Sequence, residues 1–480
     1  MTKKKKSRTM LSAFSIILLL IFGLGLLSHI LPDAQFIGDE IVNGSGTVGA
    51  SLSQILMSPI LGFEDAVDVA IFVMILGGFL AIINRTGAFE TGIKVLVQKL
   101  KGRELILIPI LMFIFSIGGT TYGMLEETVG FYVLLAAAMM AAGMDPIVGS
   151  AIVLLGAGSG VLGSTINPFA TGAAVSALPN NIAANQGLII LIAVFLWLTT
   201  LLISIIFVMR YAAKVKKDKG STFLSLREQK AAEKKYGNFT INEKKEKLSG
   251  KQKITLVLFA LTFVVMIIGF IPWGEFGITF FDNITGWLTG ASLGNWWFYE
   301  AALWFLIMAI IIGIINRMGE KGIVDAFVDG ADDMVGVILI IAIARGASVL
   351  MGITHLDNYI IYNAADVLSK LPEIAFVPLN YILHVILSVL VPSSSGLATL
   401  STPIIGPLSA QLGYNVEVSI MTIVASNGLV NLITPTCGAI MGGLALAKVE
   451  YSTWFRWALK IVLTIALVNI LVLSVFALII

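Results

Sequence analysis

Apolar runs long enough to cross a bilayer recur from one end of this 480-residue chain to the other, and they fix its fold class before any single residue is weighed. About 20 apolar residues, rising about 1.5 Å each, span the hydrocarbon core. In that medium every backbone N–H and C=O must be paired inside the protein, which leaves only helices and closed barrels. A barrel would show short segments of alternating polarity, and the sequence has none. Composition agrees, with 57% hydrophobic and only 12% charged residues, where a soluble domain carries about 25% charged. The chain reads as an all-α polytopic membrane protein whose medium is the lipid bilayer. With a net charge of +2 it is not an expected partner of nucleic acid.

The basic start MTKKKKSR leads into a long apolar stretch without a small-residue cleavage site, so it reads as a retained first span near 11–31. Further spans are expected near 67–84, 146–177 (interrupted), 188–209, 253–272, 297–316, 334–351, 414–447 (interrupted) and 456–479. Two apolar pairs, 104–142 and 375–411, carry a polar tip in the middle and read as re-entrant hairpins. Lys and Arg set the orientation. None occurs between Arg8 and Arg85, or between Lys253 and Arg317, so loops 32–66 and 273–296 lie outside and the N-terminus is cytoplasmic. The basic stretch 210–252 shows no apolar periodicity and reads as a solvated cytoplasmic linker between a first repeat, 1–209, and a second, 253–480.

The two halves echo one another. IINRTGAFETGI (82–93) resembles IINRMGEKGI (314–323), TTYGMLEET (120–128) lines up with SSSGLATLS (393–401), and GSGVLGSTINP (158–168) with SNGLVNLITP (426–435). Between the first and second of these matches the second half is longer, and the surplus holds the extra span 334–351. One added crossing means that the two hairpins enter from opposite faces. That is the inverted-repeat plan of secondary transporters, with substrate bound where the repeats meet.

The chemistry gathers at the two hairpin tips and the two interruptions, where Gly and Pro break helices and Ser, Thr and Asn supply donors and acceptors. Glu126 and Glu127 stand at the first tip with no Lys or Arg between Arg103 and Arg210. A buried carboxylate costs about 2.5–3.5 kcal/mol on insertion scales, and a cationic cargo would offset it; a proton relay is the other reading of the pair. Adjacent helical residues point about 100° apart, so one glutamate faces the cargo unless the tip is uncoiled. Arg345 lies in the extra span, His355 and Asp357 follow it, and Arg345 is expected to pair with Asp357. No nucleophile–base pair or metal-ligand cluster stands out, so the chain does not read as an enzyme and no cofactor or metal is expected. Cys437, the single cysteine, reads as a small packed residue.

GGTTYGMLEET, GSTINPFATG, IARGASVLM, VPSSSG and NLITPTCGAIMGGLALAKVEY together resemble the YfcC family of bacterial carriers, also called C4-dicarboxylate anaerobic carrier-like, within the ion transporter superfamily. The resemblance runs from the first span to the last. It implies a bacterial plasma-membrane protein in which hairpins and unwound helices, 118–178 and 375–450, move like an elevator against a scaffold. The scaffold would comprise spans near 11–85, 188–209, 253–316 and 456–479, through which a homodimer is expected. It also implies exchange of basic amino acids, arginine for ornithine, with a sodium- or proton-coupled carrier of dicarboxylates or peptides as the alternative. The superfamily's sodium sites use Ser-Asn-Thr at the tips. Here the tips read Gly-Thr-Thr and Ser-Ser-Ser, and a swap of two singly charged cations needs no coupling ion. The expected cargo contacts are Glu126, Glu127, Thr120, Thr121 and Tyr122 at the first tip. Ser393, Ser394 and Ser395 are expected at the second, and Asn167, Asn427, Asn431 and Thr434 at the interruptions.

Overall fold

Lipid and protein divide the apolar surface of this chain between them, and the division shows which helices are central. A computed structural model describes residues 13–37, 40–99, 103–236, 247–271, 273–282 and 285–480. The first half contains α1 (Ala13–Ile30), α2 (Leu52–Asp65), α3 (Val67–Arg85), α4 (Ala88–Lys99), α5 (Leu107–Tyr122), α6 (Val129–Ala141), α7 (Pro146–Gly163), α8 (Ala173–Ser176) and α9 (Gln186–Lys217). A short α10 (Leu226–Tyr236) follows. The second half contains α11 (Gly250–Phe270), α12 (Phe298–Ile315), α13 (Gly319–Asp332), α14 (Val335–Thr354) and α15 (Leu356–Leu368). It ends with α16 (Glu373–Leu390), α17 (Ser394–Gln411), α18 (Val416–Val430), α19 (Gly438–Ala447) and α20 (Tyr451–Ile479).

Among the described residues nine helical stretches are long and apolar enough to cross a membrane. The apolar window of Pro146–Ser176 is wholly buried in protein, whereas only 28% of the α20 window is. Leu459, Leu463, Leu467, Leu471 and Val475 of α20 are exposed at every fourth position, as are Leu191, Phe195, Leu198 and Leu202 on α9 at helical spacing. Water would penalise such stripes; lipid satisfies them. The interrupted stretch is therefore central and α9 and α20 are peripheral.

The same packing occurs twice with the halves interchanged. Helix α7 packs between α5 and α6 as α18 packs between α16 and α17, and α7 crosses α18. The second arm of each hairpin packs on the far interruption, α6 on α19 and α17 on α8. The main partners of α9 are α7, α5 and α20, and those of α20 are α9, α16 and α18. A second group is built around α3, which packs on α12 and α13, with Phe72, Phe79, Phe259, Phe263 and Phe305 meeting ring to ring. Helix α14 packs on α2, α1 and α19.

Small residues allow the closest of these approaches. A Cβ on Gly119 of α5 would lie 2.0 Å from the Ala157 carbonyl of α7, and one on Gly160 of α7 would lie 2.1 Å from the Ser116 carbonyl of α5. With little hydrophobic drive between helices in lipid, such backbone proximity supplies the dispersion contact that holds them together.

Two parts of the sequence reading are corrected. Loop 32–66 ends in a helix, α2, capped by a reciprocal Ser51–Gln54 box. That helix enters the fold against α14, where a Cβ on Gly62 would lie 2.3 Å from the Gly346 nitrogen. The stretch 210–252 is not simply solvated. Helix α9 continues to Lys217, and 218–236 folds back as a docked strap; residues 237–246 lie outside the described residues. Asp145, in the α6–α7 turn, accepts hydrogen bonds from Tyr211 Oη (2.5 Å), Thr222 Oγ1 (2.7 Å) and Val148 N (3.1 Å). Burial pushes its carboxyl above the usual range, against those three bonds. Glu228 is 3% exposed. It accepts from Ser225 N (2.7 Å), from Glu450 N (2.8 Å) at the start of α20, and from Thr453 Oγ1 (3.1 Å). Tyr236 Oη donates to the Leu446 carbonyl of α19 at 2.6 Å. The buried positions Leu224, Glu228, Ala232 and Tyr236 recur at helical spacing, but the charged Glu228 and small Ala232 among them hide the face.

Glu228→Ala removes the acceptor of two backbone N–H groups, one at the start of α10 and one at the start of α20. The expected loss is about 1–3 kcal/mol, read as a lower unfolding midpoint in detergent together with faster proteolysis within 218–236. Glu233→Ala, at an exposed position on the same helix, should change neither.

Candidate functional site

The two hairpin tips and the two interruptions converge on one cavity. At the first tip α5 ends on Gly123, whose φ of +80° suits glycine, and a Cβ there would also lie 2.8 Å from Asn167 Nδ2. The backbone then bends at Leu125 (φ −140°, ψ −59°) before a 3-10 turn over Glu126–Thr128. Although the two glutamates are adjacent in that turn, both Glu126 and Glu127 line the cavity. Glu127 Oε2 also accepts from Leu125 N at 3.0 Å, and Thr128 Oγ1 donates to the Leu125 carbonyl at 2.5 Å.

The first interruption is held by that tip. Helix α7 ends on Ser164 in the left-handed region (φ 43°), and Asn167 Oδ1 caps a π-helical turn, Pro168–Gly172, by accepting from Phe169 N at 2.9 Å. Thr165 and Thr120 are joined by hydrogen bonds in both directions. Thr165 N donates to Thr120 Oγ1 and Thr165 Oγ1 to the Thr120 carbonyl, each at 3.1 Å. The second interruption is stitched to the second tip in the same manner with different residues. Ser394 Oγ donates to Asn427 Oδ1 (2.8 Å), and Asn431 Nδ2 donates to the Pro392 carbonyl (3.0 Å). Thr436 Oγ1 donates to the Val389 carbonyl (3.0 Å). Ser393 caps α17, accepting from Gly396 N at 3.2 Å.

The cavity holds about 970 Å³ of space not filled by protein, part of it open to solvent. Its polar lining includes Glu126, Glu127, Tyr122, Asn167, Asn431, Thr436, Arg345 and Ser393 to Ser395. Phe169, Trp297 and Phe298 form an aromatic wall, with Phe169 and Trp297 centroids 4.4 Å apart and Trp297 Nε1 donating to Asp68 at 2.8 Å. Tyr122 stacks one face on Phe270, ring planes 6° apart. The N-termini of α17 and α19 meet the cavity at Ser393–Ser395 and Gly438, bringing partial positive charge and amide donors. Two lining groups are buried without a protein partner among the described residues: the Tyr122 hydroxyl and Asn431 Oδ1. Such orphans cost about 1–3 kcal/mol each unless cargo or water completes them.

Four sequence-derived contacts do not line the cavity. Thr120 is consumed by its bonds to Thr165, and Thr121 Oγ1 turns back to the Ile117 carbonyl at 2.7 Å. Asn427 acts from behind, through Ser394 and Asn431, and Thr434 meets Thr436 at 2.7 Å. The expected Arg345–Asp357 pair is also corrected. Arg345 Nε meets Asp65 Oδ2 at 3.5 Å, and Asp357 Oδ1 accepts from Asn358 N at 2.8 Å in the first turn of α15. His355 adopts a left-handed conformation between α14 and α15, turning Asp357 off the α14 axis. The acid pair thus has a guanidinium on the same cavity wall, which the linear sequence placed far away. Cys437 is buried and also borders the cavity, and sequence reasoning missed the aromatic wall altogether.

A family model described as DcuC, C4-dicarboxylate anaerobic carrier, matches residues 9–478. An uncharacterized protein of Haemophilus influenzae is 30% identical over 424 residues, covering 88% of this chain and 78% of that protein. The Escherichia coli K12 protein named "Putative basic amino acid antiporter YfcC" is 27% identical over 412 residues, covering 82% of this chain and 74% of its own. Among solved structures, MtrF of Neisseria gonorrhoeae, from a class of antimetabolite efflux pumps, aligns with a TM-score of 0.44 and 17% identity. That alignment covers 98% of this chain and 96% of MtrF. The YdaH transporter of Alcanivorax borkumensis aligns with a TM-score of 0.45 and 14% identity over 97% and 98% of the two chains.

Whatever the cargo, the second tip depends on Asn427, which holds Ser394 and donates to the Pro392 carbonyl at 3.3 Å. Asn427→Ala should cost about 1–2 kcal/mol and speed amide exchange over 393–397 while leaving the first tip unchanged. Hydrogen–deuterium exchange by mass spectrometry measures both, and unaltered exchange at 393–397 would refute the anchoring role.

Proposed function

The chain belongs to the DcuC family of C4-dicarboxylate anaerobic carriers, and from that premise we propose that it exchanges cationic amino acids across a bacterial plasma membrane, arginine inward for ornithine outward. That it is a multi-pass membrane protein of a transporter family follows from the family and its apolar helices. The cargo is the further step. The observation that carries it is the charge of the cavity: two carboxylates, Glu126 and Glu127, face it against one guanidinium. Neither glutamate makes an ion pair with a described residue, and the guanidinium already has Asp65 as counter-ion. A dianion entering this space would meet two carboxylates against one guanidinium, whereas a side-chain cation would meet an excess of its complement.

In this proposal the side-chain guanidinium or ammonium of the cargo sits at Glu126 and Glu127. Its α-carboxylate lies toward Ser393, Ser394 and Ser395 and the amides at the start of α17. Asn431 Oδ1 and the Tyr122 hydroxyl, otherwise unpartnered, take hydrogen bonds from the cargo. The relative described as a basic amino acid antiporter supports the same cargo class. Alternating access would follow from two inverted repeats, a reading supported by the doubled packing of hairpins and interruptions. The moving unit would be the hairpins α5/α6 and α16/α17 with the interrupted helices. Helices α9 and α20, which the family resemblance assigns to the scaffold, pack mainly on that unit and would travel with it. The group around α3 and α12 would be the scaffold and the place of any homodimer contact, with the N-terminus cytoplasmic.

The rival is a coupled dicarboxylate carrier, favoured by the family's name and by Arg345. Counterflow into liposomes loaded with ornithine separates the two. Labelled arginine should enter the ornithine-loaded vesicles and succinate should not. Glu126→Gln and Glu127→Gln should each reduce exchange about 10-fold or more, with normal elution in size-exclusion chromatography. Full exchange by both variants and by the double variant would sink the cationic reading.

A further inference from the structure

A cavity built only for a side-chain cation would have no use for Arg345, and its surroundings make it available. The residue sits on α14, which packs against α2, and its side chain is about one-third exposed toward the cavity it lines. Its single ion pair uses Nε and is long, 3.5 Å to Asp65 Oδ2, and the Asp65 side chain is itself half exposed. The two terminal nitrogens carry no hydrogen bond to a described residue. Guanidinium recognises a carboxylate by two parallel N–H···O bonds from such a fork. Asp65 engages only one nitrogen and lies at the edge of the site, so it acts as a resident counter-ion that leaves the fork unfilled.

Resting on the cationic amino acid reading, we propose that Arg345 is the specificity-determining residue that makes an α-carboxylate obligatory in the cargo. The cargo then bridges the cavity, its side-chain cation at Glu126 and Glu127 and its carboxylate between Arg345 and the Ser393–Ser395 end. A zwitterion with a distal cation satisfies all three charges at once. The same chain without its carboxylate leaves the guanidinium facing an incoming positive charge. A succinate dianion satisfies Arg345 and is opposed by the glutamates. Selection thus works in both directions, against polyamines and against dicarboxylates, through repulsion as much as attraction.

The test is competition against labelled arginine entering ornithine-loaded proteoliposomes, with unlabelled arginine or agmatine, which is arginine without its carboxylate, as competitor. In the unaltered protein arginine should compete at concentrations about 10- to 100-fold lower than agmatine. Arg345→Gln should weaken arginine, which loses its carboxylate partner, and strengthen agmatine, which loses a repelling charge, closing the gap. Arg345→Lys, which keeps the charge and loses the fork, should restore part of it. Equal competition by the two compounds in the unaltered protein would overturn the role of Arg345 while leaving the cationic reading intact. So would an unclosed gap in Arg345→Gln, or an equal loss for both compounds. Absence of any arginine competition would overturn the cationic reading and this inference together.

Discussion

Interrupted backbone at membrane depth has to be paired within the protein, and the site exists because the chain meets that demand four times in one place. An unpaired peptide group in hydrocarbon costs several kcal/mol. Each interruption is therefore sewn to the neighbouring tip: Thr165 to Thr120 in the first half, Asn431 and Asn427 to Pro392 and Ser394 in the second. The bonds that make the breaks tolerable also fix the distance between tip and break. What remains pointing inward is a small set of groups with capacity to spare, among them Asn431 Oδ1 and the Tyr122 hydroxyl.

The two halves share this plan and differ in charge. The first tip carries Glu126 and Glu127 in a 3-10 turn after a bend, and the second carries three serines at the start of a helix. One end of the cavity is therefore anionic, and the other presents hydroxyls and amide donors with the positive end of a helix. A doubled frame with unlike tips creates a polar axis across the cavity, and a molecule with separated opposite charges matches such an axis better than a symmetric ion does.

Much of this was legible in the sequence because bilayer length and helix breakers act locally. Most expected spans and the helices of both expected hairpins fall within a few residues of their bounds, α9 running on to Lys217, and the tips and interruptions were readable from Gly, Pro and short polar residues clustered within apolar runs. Other features depend on packing that no local pattern reports. Helix α2 reads as part of an acidic loop because its 14 residues fall short of a membrane span, and it enters the fold where Gly62 meets Gly346. Arg345 finds Asp65 through tertiary contact between α14 and α2, whereas sequence proximity suggested Asp357. Thr120 and Thr121 look like cargo ligands in sequence. A hydroxyl at a helix end is as readily consumed by nearby polar groups: Thr121 Oγ1 donates to the Ile117 carbonyl, and Thr120 Oγ1 accepts from Thr165 N and donates to Thr165 Oγ1.

The docked strap 218–236 changes how the two halves must be thought of. Its acceptors and donors reach the α6–α7 turn through Asp145, the end of α19 through Leu446, and the start of α20 through Glu228. The first two partners come from different halves of the chain, and all three belong to the group built on the interrupted helices. A slack tether would let the halves drift independently at this end of the molecule. A strap with a buried carboxylate at a helix start cannot, because separating it would strand Glu228 and the Glu450 amide together. The described part of the connection, 218–236, is therefore fastened to the same group of helices that lines the site, and its hydrogen bonds tie both halves of the chain to that group.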